Sequence, residues 1–163
     1  GCCARCAASW PGGIGWCGHI AFFESHLGKE FGDDIDAYLQ AGARLVELHP
    51  ITIMQSTVYS DNGGSGDWAY VPPKAYTVGP RDLKNSKLVS FWNCGYVSGG
   101  YAWQRFITRL AAHGPVTPLV PSSILQILPS ELSVLGAVAD DYQWDVPLRT
   151  DPLPTEGGHA WYR

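Results

Sequence analysis

The sequence has few charged residues and lacks the features that mark several functional classes. Charged side chains make up 16% of its 163 residues, with 11 Lys and Arg against 15 Asp and Glu. It contains no basic run that could neutralise a row of phosphates, so we expect no nucleic-acid partner. A bilayer requires about 20 consecutive apolar residues, and Pro121, Pro129 and Glu131 interrupt the apolar stretch 119–139. We therefore expect no membrane span.

Two marks of a secretory route are also missing. The chain begins Gly1-Cys2-Cys3 without a charged segment followed by an apolar one, and it contains no Asn-x-Ser/Thr sequon. The five cysteines point the other way, because disulfides among Cys2, Cys3, Cys6 and Cys94 would indicate an oxidising compartment. We therefore favour a secreted protein. An odd number of cysteines leaves one thiol free, bound to metal or paired with a partner chain.

Length and apolar content predict one compact domain over residues 1–163. Hydrophobic residues make up 45% of the chain, which is enough to fold a core. The sequence also has 19 Gly, 12 Pro, 7 Trp and 8 Tyr, a composition typical of an aromatic and turn-rich domain. Residues 1–18 are predicted to be a Cys- and Gly-rich loop, and residues 140–163 an irregular C-terminal segment.

Periodicity predicts an α+β fold. Apolar residues at spacings of three and four predict helices, and runs of β-branched and aromatic residues predict strands. The predicted helices are 20–27, 35–41, 101–112, 122–128 and 130–138, and the predicted strands are 45–48, 51–59, 68–71, 75–78, 88–92 and 115–120.

The sharpest local motif is Gly15-Trp16-Cys17-Gly18, directly before a predicted helix. The positive end of a helix dipole and its unpaired N–H groups stabilise a thiolate over a thiol. The same N–H groups can hydrogen-bond a developing oxyanion. The motif therefore predicts that Cys17 is a nucleophile.

This motif, followed by Ile20-Ala21-Phe22-Phe23, resembles the nucleophile segment of papain-like cysteine peptidases. Residues 110–116 resemble the helix and strand before the histidine strand of that superfamily, and Gly158-His159-Ala160 resembles the segment that carries the general base. The resemblance implies a papain-like α+β fold with short N-terminal helices and a twisted, mainly antiparallel sheet. It also implies thiol-dependent cleavage of peptide or amide bonds in a peptide or protein substrate, without an organic cofactor.

The resemblance assigns roles to individual residues. Cys17 would attack the carbonyl with its backbone N–H holding the oxyanion, and His159 would accept and return the proton. Trp16 and Gly18 would bind substrate. The group that orients the imidazole would come from Asp140, Asp141 or Asp145.

Other interpretations remain open. Cys3, Cys6, Cys17 and His19 offer four ligands of the kind that zinc takes in tetrahedral structural sites. A thiolate held by structural zinc is not free to attack a carbonyl, so this interpretation competes with the first. Cys94 is a second candidate nucleophile, although glycines separate it from the next helix, and we favour a core or disulfide role for it.

A non-enzymatic alternative rests on the aromatic residues. Exposed rings that flank a groove bind peptide or glycan. In this interpretation the chain is a secreted or interaction module, held together by disulfides or zinc, that binds through an aromatic surface. We place Trp16, beside Cys17, at the wall of that surface.

Overall fold

The computed structural model describes residues 9–58, 66–94 and 104–140, and the statements below concern this part of the chain. Short helices and strands alternate along it. In chain order the elements are β1 (Trp10–Gly12), a 3-10 helix (Ser25–Glu30), α1 (Ile35–Tyr38), β2 (Arg44–Glu47), α2 (Pro50–Val58), a 3-10 helix (Trp68–Tyr70), β3 (Lys74–Thr77), α3 (Pro80–Lys84), β4 (Val89–Asn93), α4 (Arg105–His113), a 3-10 helix (Pro121–Gln126), β5 (Ser130–Val134) and α5 (Gly136–Ala139).

The central sheet has three parallel strands in the order β1–β4–β5. Trp10 aligns with Val89 in the first pair, and Val89 aligns with Ser130 in the second. A separate antiparallel pair is formed by β2 and β3. The prediction of a mainly antiparallel sheet is therefore wrong. Parallel neighbours need a crossover connection, and α4 lies in the one between β4 and β5.

The core packs against the middle strand. Val89 and Phe91 on β4 are fully buried, and Gly12 of β1 lies so close that a Cβ there would be 2.8 Å from the Phe91 ring. On α4, Ile107 and Ala111 are buried against the same core. Other buried hydrophobic members are Ile14, Ile20, Phe23, Leu27, Tyr38, Leu39, Val46, Leu83, Ile124 and Leu125.

Helix α2 occupies residues for which the sequence predicts a strand. The β-branched residues of 51–59 favour a strand locally. The helix instead begins with Pro50, whose fixed φ suits a first helical turn, and the Ile51 N–H donates to His49 Nδ1 at 3.1 Å. These two features at its start, together with tertiary contacts of Thr52, override the strand propensity.

The C-terminal third also differs from the prediction. Residues 130–138 form strand β5 and then α5, rather than one helix, because residues 130–134 pair with β4. The predicted strand 115–120 is a turn, closed in part by the Val120 N–H donating to the Thr117 carbonyl at 3.1 Å. The predicted strands 45–48, 75–78 and 88–92 are confirmed with shifts of one residue.

The single domain over residues 1–163 stays a prediction, because residues 1–8, 59–65, 95–103 and 141–163 lie outside the described ranges. Within those ranges no helix is long and apolar enough to cross a bilayer.

Candidate functional site

An irregular segment, residues 13–24, follows β1 and carries most of the polar atoms of the candidate site. Ile20 forms isolated antiparallel bridges to Ile14 on one side and to Phe23 on the other. All three side chains are at most 3% exposed. The apolar side chains therefore anchor the segment in the core while its backbone folds back on itself twice.

Glycines permit the tight turn between Ile14 and Ile20. The Gly18 N–H donates to the Gly15 carbonyl at 3.0 Å, and the Gly15 N–H donates to the His19 carbonyl at 3.1 Å. Gly18 has a φ of 78°, a conformation that residues with a side chain rarely adopt. The turn brings the side chains of Cys17 and His19 to the same side of the segment.

Two further elements fix this segment. Asn93, at the end of β4 and 1% exposed, accepts from the Ile14 N–H at 3.3 Å and donates to Thr108 Oγ1 at 2.7 Å. Gln104, directly before α4, donates to the Ile14 carbonyl at 2.5 Å. The segment is thus attached to both the middle strand and the helix that follows it.

Four polar side chains meet at one point inside this frame. Cys17 Sγ lies 3.2 Å from His19 Nδ1 and 3.1 Å from Glu24 Oε2. Thr52, from α2, donates to Glu24 Oε2 at 2.9 Å and lies 3.1 Å from His19 Nδ1. We call Cys17, His19, Glu24 and Thr52 the polar cluster.

The polar cluster is almost completely removed from solvent. Glu24 is fully buried, Thr52 is 2% exposed and His19 is 6% exposed, while Cys17 is half-buried. The second carboxylate oxygen of Glu24 accepts from the His49 backbone N–H at 3.3 Å. A buried carboxylate needs such donors, and Glu24 has them on both oxygens.

Burial and hydrogen bonding act in opposite directions on the two ionisable groups. Burial by itself lowers the pKa of His19, but hydrogen bonds and charge interactions with Cys17 and Glu24 outweigh it and raise that pKa to about 9. Burial by itself raises the pKa of Glu24, but hydrogen bonds to His19, Cys17 and Thr52 outweigh it and lower that pKa. The pair is therefore an imidazolium and a carboxylate at neutral pH, with 3.3 Å between Nδ1 and Oε2.

The second ring nitrogen of His19, Nε2, has a different environment from Nδ1. A Cβ at Gly15 would lie 2.0 Å from both Cε1 and Nε2 of His19, so only glycine leaves room for the imidazole there. Within the described ranges His19 makes its hydrogen bonds through Nδ1. Nε2 is therefore the ring nitrogen without a described hydrogen bond, and it lies against Gly15.

An open cleft of about 540 Å³ adjoins this ring. Its lining includes Gly13 after β1 and Trp92 in β4, at the carboxyl edge of the parallel sheet. Ligands of open α/β sheets bind at that edge. The remaining lining residues are Trp10, Pro11, Gly12, Ile14, Gly15, His19, Ile20, Ala21, Phe22, Gln55, Phe91, Cys94 and Gln104, and none of the described ones is a lysine or arginine.

The structure changes the setting of the predicted nucleophile. Cys17 lies in a turn, and the next helix begins only at Ser25, so the helix-dipole argument for a thiolate is wrong. The nearest described imidazole is that of His19. The proposed partner His159 lies outside the described residues, as do Asp141 and Asp145, and Asp140 is exposed at the end of the last described range.

The other predicted site residues have structural contacts. The backbone N–H of Trp16 donates to Gln55 Oε1 at 3.0 Å, and Gly18 lies against Ile107 and Ser122. Cys94 is exposed with a free thiol, so its predicted core or disulfide role is wrong. It lines the cleft instead.

The zinc interpretation stays a prediction. Cys17 and His19 do lie together, whereas Cys3 and Cys6 lie outside the described ranges. Sequence reasoning missed Glu24 and Thr52. The one signal for Glu24 was its position directly after the apolar run 20–23, next to side chains that enter the core. Thr52 had no such signal, because a strand was predicted for residues 51–59, whereas Thr52 lies on helix α2.

Comparison with known proteins gives the chain relatives of one kind. No protein-family model matches it. A glucosamine-6-phosphate deaminase of Lachnoclostridium phytofermentans is 32% identical over 123 residues, which cover 76% of this chain and 43% of that protein. The chain resembles glucosamine-6-phosphate deaminases. A deaminase of the same name from Clostridium botulinum is 27% identical over 115 residues, covering 71% of this chain and 38% of that protein.

A solved structure of a monomeric glucosamine-6-phosphate deaminase, described as a missing link of the NagB superfamily, has the same fold. Its TM-score is 0.61 at 22% identity, over 81% of this chain and 46% of that one. The chain therefore spans less than half the length of the deaminases that it matches.

These likenesses correct the sequence-based interpretation. The resemblance to papain-like cysteine peptidases is wrong, because the related sequences and the similar fold are those of sugar-phosphate deaminases. Peptide or amide hydrolysis by Cys17 and His159 is therefore wrong, and so is the disulfide-stapled binding module. The described cysteines, Cys17 and Cys94, are free. A secreted location is contradicted by the same relatives, which are glucosamine-6-phosphate deaminases.

Proposed function

We propose that the chain carries the acid–base part of an active site that isomerises or deaminates a phosphorylated amino sugar such as glucosamine 6-phosphate. The observation that carries the proposal is the 3.3 Å contact between His19 Nδ1 and the buried Glu24 carboxylate at the wall of the cleft. The 32% identity to a glucosamine-6-phosphate deaminase supports the substrate class.

Deamination of an amino sugar requires proton transfer at several points. Opening the sugar ring places a proton on the ring oxygen, and loss of ammonia needs a protonated leaving group. A group that carries a proton at neutral pH and can pass it to the substrate serves these steps, and histidine is the most common general acid or base. His19 is cationic at neutral pH because its pKa is raised to about 9. Its Nε2–H would give the proton to the substrate.

The rest of the polar cluster serves as a positioning unit. Glu24 stabilises the imidazolium through Nδ1 and holds the ring in one orientation. Thr52 fixes the carboxylate from the side of α2 at 2.9 Å. A ring held in this way keeps Nε2 on the side of Gly15 and the cleft. Pre-set orientation of a general acid lowers the cost of reaching the transition state.

The cleft has the character of a small-molecule site. Trp10, Phe91 and Trp92 line it, and polar groups such as Gln55 and Gln104 are few. Mostly apolar walls with a few placed polar groups are typical of such sites. A sugar can stack a C–H face on the exposed ring of Trp92 while its hydroxyls meet the polar groups.

The test separates binding from turnover, because the chain spans under half of the deaminases that it resembles. Binding is followed by NMR through the His19 ring signals on addition of glucosamine 6-phosphate, glucosamine or glucose 6-phosphate. Turnover is followed as ammonia release from glucosamine 6-phosphate. We expect the phosphorylated amino sugar to shift the His19 signals, and His19→Asn to lower ammonia release by about 10²- to 10⁴-fold.

His113→Asn is the matched control, since His113 is exposed at the end of α4. It should leave both readouts unchanged. The proposal is overturned if no sugar phosphate shifts the His19 signals, or if His19→Asn releases ammonia as fast as the unchanged chain.

A further inference from the structure

Trp92 is a large aromatic side chain at the carboxyl end of β4, outside the polar cluster. Its neighbours Phe91 and Asn93 are buried in the core, and because side chains alternate along a strand, Trp92 lies on the opposite face of the sheet. It is 63% exposed. It lines the cleft of about 540 Å³ and also a second cavity, of about 230 Å³, at the ends of β4 and β5. One exposed indole therefore borders two cavities.

Two hydrogen bonds hold this indole in one orientation. The Trp92 Nε1–H donates to Ser90 Oγ at 3.2 Å, and the Ser90 hydroxyl donates to Glu131 Oε1 at 2.6 Å. Glu131 lies on β5, where it aligns with Ser90 in the parallel register. The N–H is the only hydrogen-bonding group of an indole, and here it is used within the sheet. A ligand therefore meets the face of the ring.

The surroundings of the ring favour a cation. Glu131 is exposed, and its carboxylate is one hydroxyl away from the indole nitrogen. In the described part of the chain no lysine, arginine or histidine pairs with that carboxylate. None of the described residues that line either cavity is a lysine or arginine. Among aromatic side chains, the face of tryptophan attracts an ammonium group most strongly.

We propose that Trp92 and Glu131 select an amino sugar through its ammonium group, which the indole face and the nearby carboxylate attract together. The inference rests on the proposed function for the class of sugar. It adds the residues that distinguish an amino sugar from a neutral one, because a hydroxyl in place of the ammonium group gains no charge attraction. Deamination needs this nitrogen protonated, and an electron-rich wall favours that state. Trp92 and Glu131 determine specificity and take no part in proton transfer.

The experiment compares three sugars without phosphate: glucosamine, N-acetylglucosamine and glucose. Only glucosamine carries an ammonium group. Binding to the unchanged chain is followed by NMR through the indole N–H signal of Trp92, which is identified among the seven tryptophans by its loss in Trp92→Leu. We expect glucosamine to shift this signal with a Kd about 2- to 30-fold lower than the Kd of either neutral sugar, the range that a cation–π contact supplies.

Single substitutions assign the preference to the two residues, with the Kd of each variant measured from the NMR signals of the sugars. Trp92→Leu should abolish the preference for glucosamine, and Glu131→Gln should reduce it. The matched controls are Trp68→Leu and Glu47→Gln, since Trp68 is 70% exposed on a 3-10 helix outside both cavities and Glu47 is an exposed carboxylate on β2. Both controls should keep the preference. Circular dichroism shows whether each variant is folded.

Three outcomes overturn this proposal. The first is equal binding of the three sugars, the second is a Trp92 signal that glucosamine leaves unchanged, and the third is a preference that persists in Trp92→Leu. The proposed function fails separately, because it is measured at His19 with glucosamine 6-phosphate. A shift at His19 with none at Trp92 refutes the ammonium site alone, and a shift at Trp92 with none at His19 refutes the acid role of His19 alone.

Discussion

Glu24→Gln tests the electrostatics of the polar cluster. The pKa of His19 rises from 6.5 to about 9 on folding. At about 1.4 kcal/mol per pKa unit, this rise is worth about 3 kcal/mol of stability when fully expressed. A raised pKa stabilises the fold fully below pH 6.5, and the contribution is lost as pH rises through about 9. The Glu24 contribution has the opposite sense, since its lowered pKa stabilises the fold above pH 4.5 and the effect is lost as pH falls through the folded-state value.

Both contributions are complete between pH 4.5 and 6.5, so the free energy of unfolding should be largest there. Glu24→Gln preserves the shape of the side chain and removes its charge. Because Cys17 still supports the imidazolium, we expect the variant to lose only part of the His19 effect, about 1–2 kcal/mol of its dependence on pH between 6 and 10. Urea unfolding at several pH values measures this slope, and NMR titration of His19 should show its pKa lowered.

Glu30→Gln is the matched control, since Glu30 pairs with Arg44 at 2.8 Å but is 48% exposed. An exposed pair contributes little, so this variant should stay within about 1 kcal/mol of the unchanged chain at every pH. If Glu24→Gln and the unchanged chain show parallel pH profiles from 6 to 10, the charge of Glu24 does not hold the proton on His19, and the reasoning fails.

Three further substitutions test the packing around the site by urea unfolding. Gly15→Ala should cost about 1–3 kcal/mol and displace the His19 ring, because the new Cβ would lie 2.0 Å from it. Gly136→Ala is the control, since a Cβ there would meet nothing within 4 Å, and it should change stability by less than about 1 kcal/mol. Equal effects of the two substitutions would refute the close approach of Gly15 to His19. Asn93→Ala should cost about 2–4 kcal/mol because it leaves two buried partners unsatisfied, and a cost under about 1 kcal/mol would contradict its anchoring role. Phe23→Ala should cost about 3–5 kcal/mol, since its ring is 1% exposed in the core, and a smaller loss would place it outside that core.

Strands with strong local signals were predictable from the sequence. Residues 44–47 and 89–93 combine β-branched or aromatic side chains with turn residues on either side, and both form strands. The parallel pairing of residues 130–134 was not predictable, because periodicity in a short apolar stretch does not show which strand it will meet. The expectation of a mainly antiparallel sheet followed from the papain-like resemblance and not from the periodicity.

Only part of the candidate site was predictable from the sequence. Cys17 was singled out from its glycine-rich motif, and it does belong to the polar cluster. The expected partner was chosen by resemblance at His159, whereas the contact in the structure is with His19, two residues away. The folding back of residues 13–24 depends on the bridges of Ile20, and such a compact irregular turn has no periodic signature in sequence.

That turn also determines how the site responds to a ligand. Cys17, His19 and Glu24 come from eight consecutive residues, and the backbone between them is pinned at Ile20, which is 3% exposed. Relative movement of these three side chains would require the buried isoleucine to leave the core. The core therefore holds the site in one shape, and a ligand would spend little of its binding free energy on rearranging it.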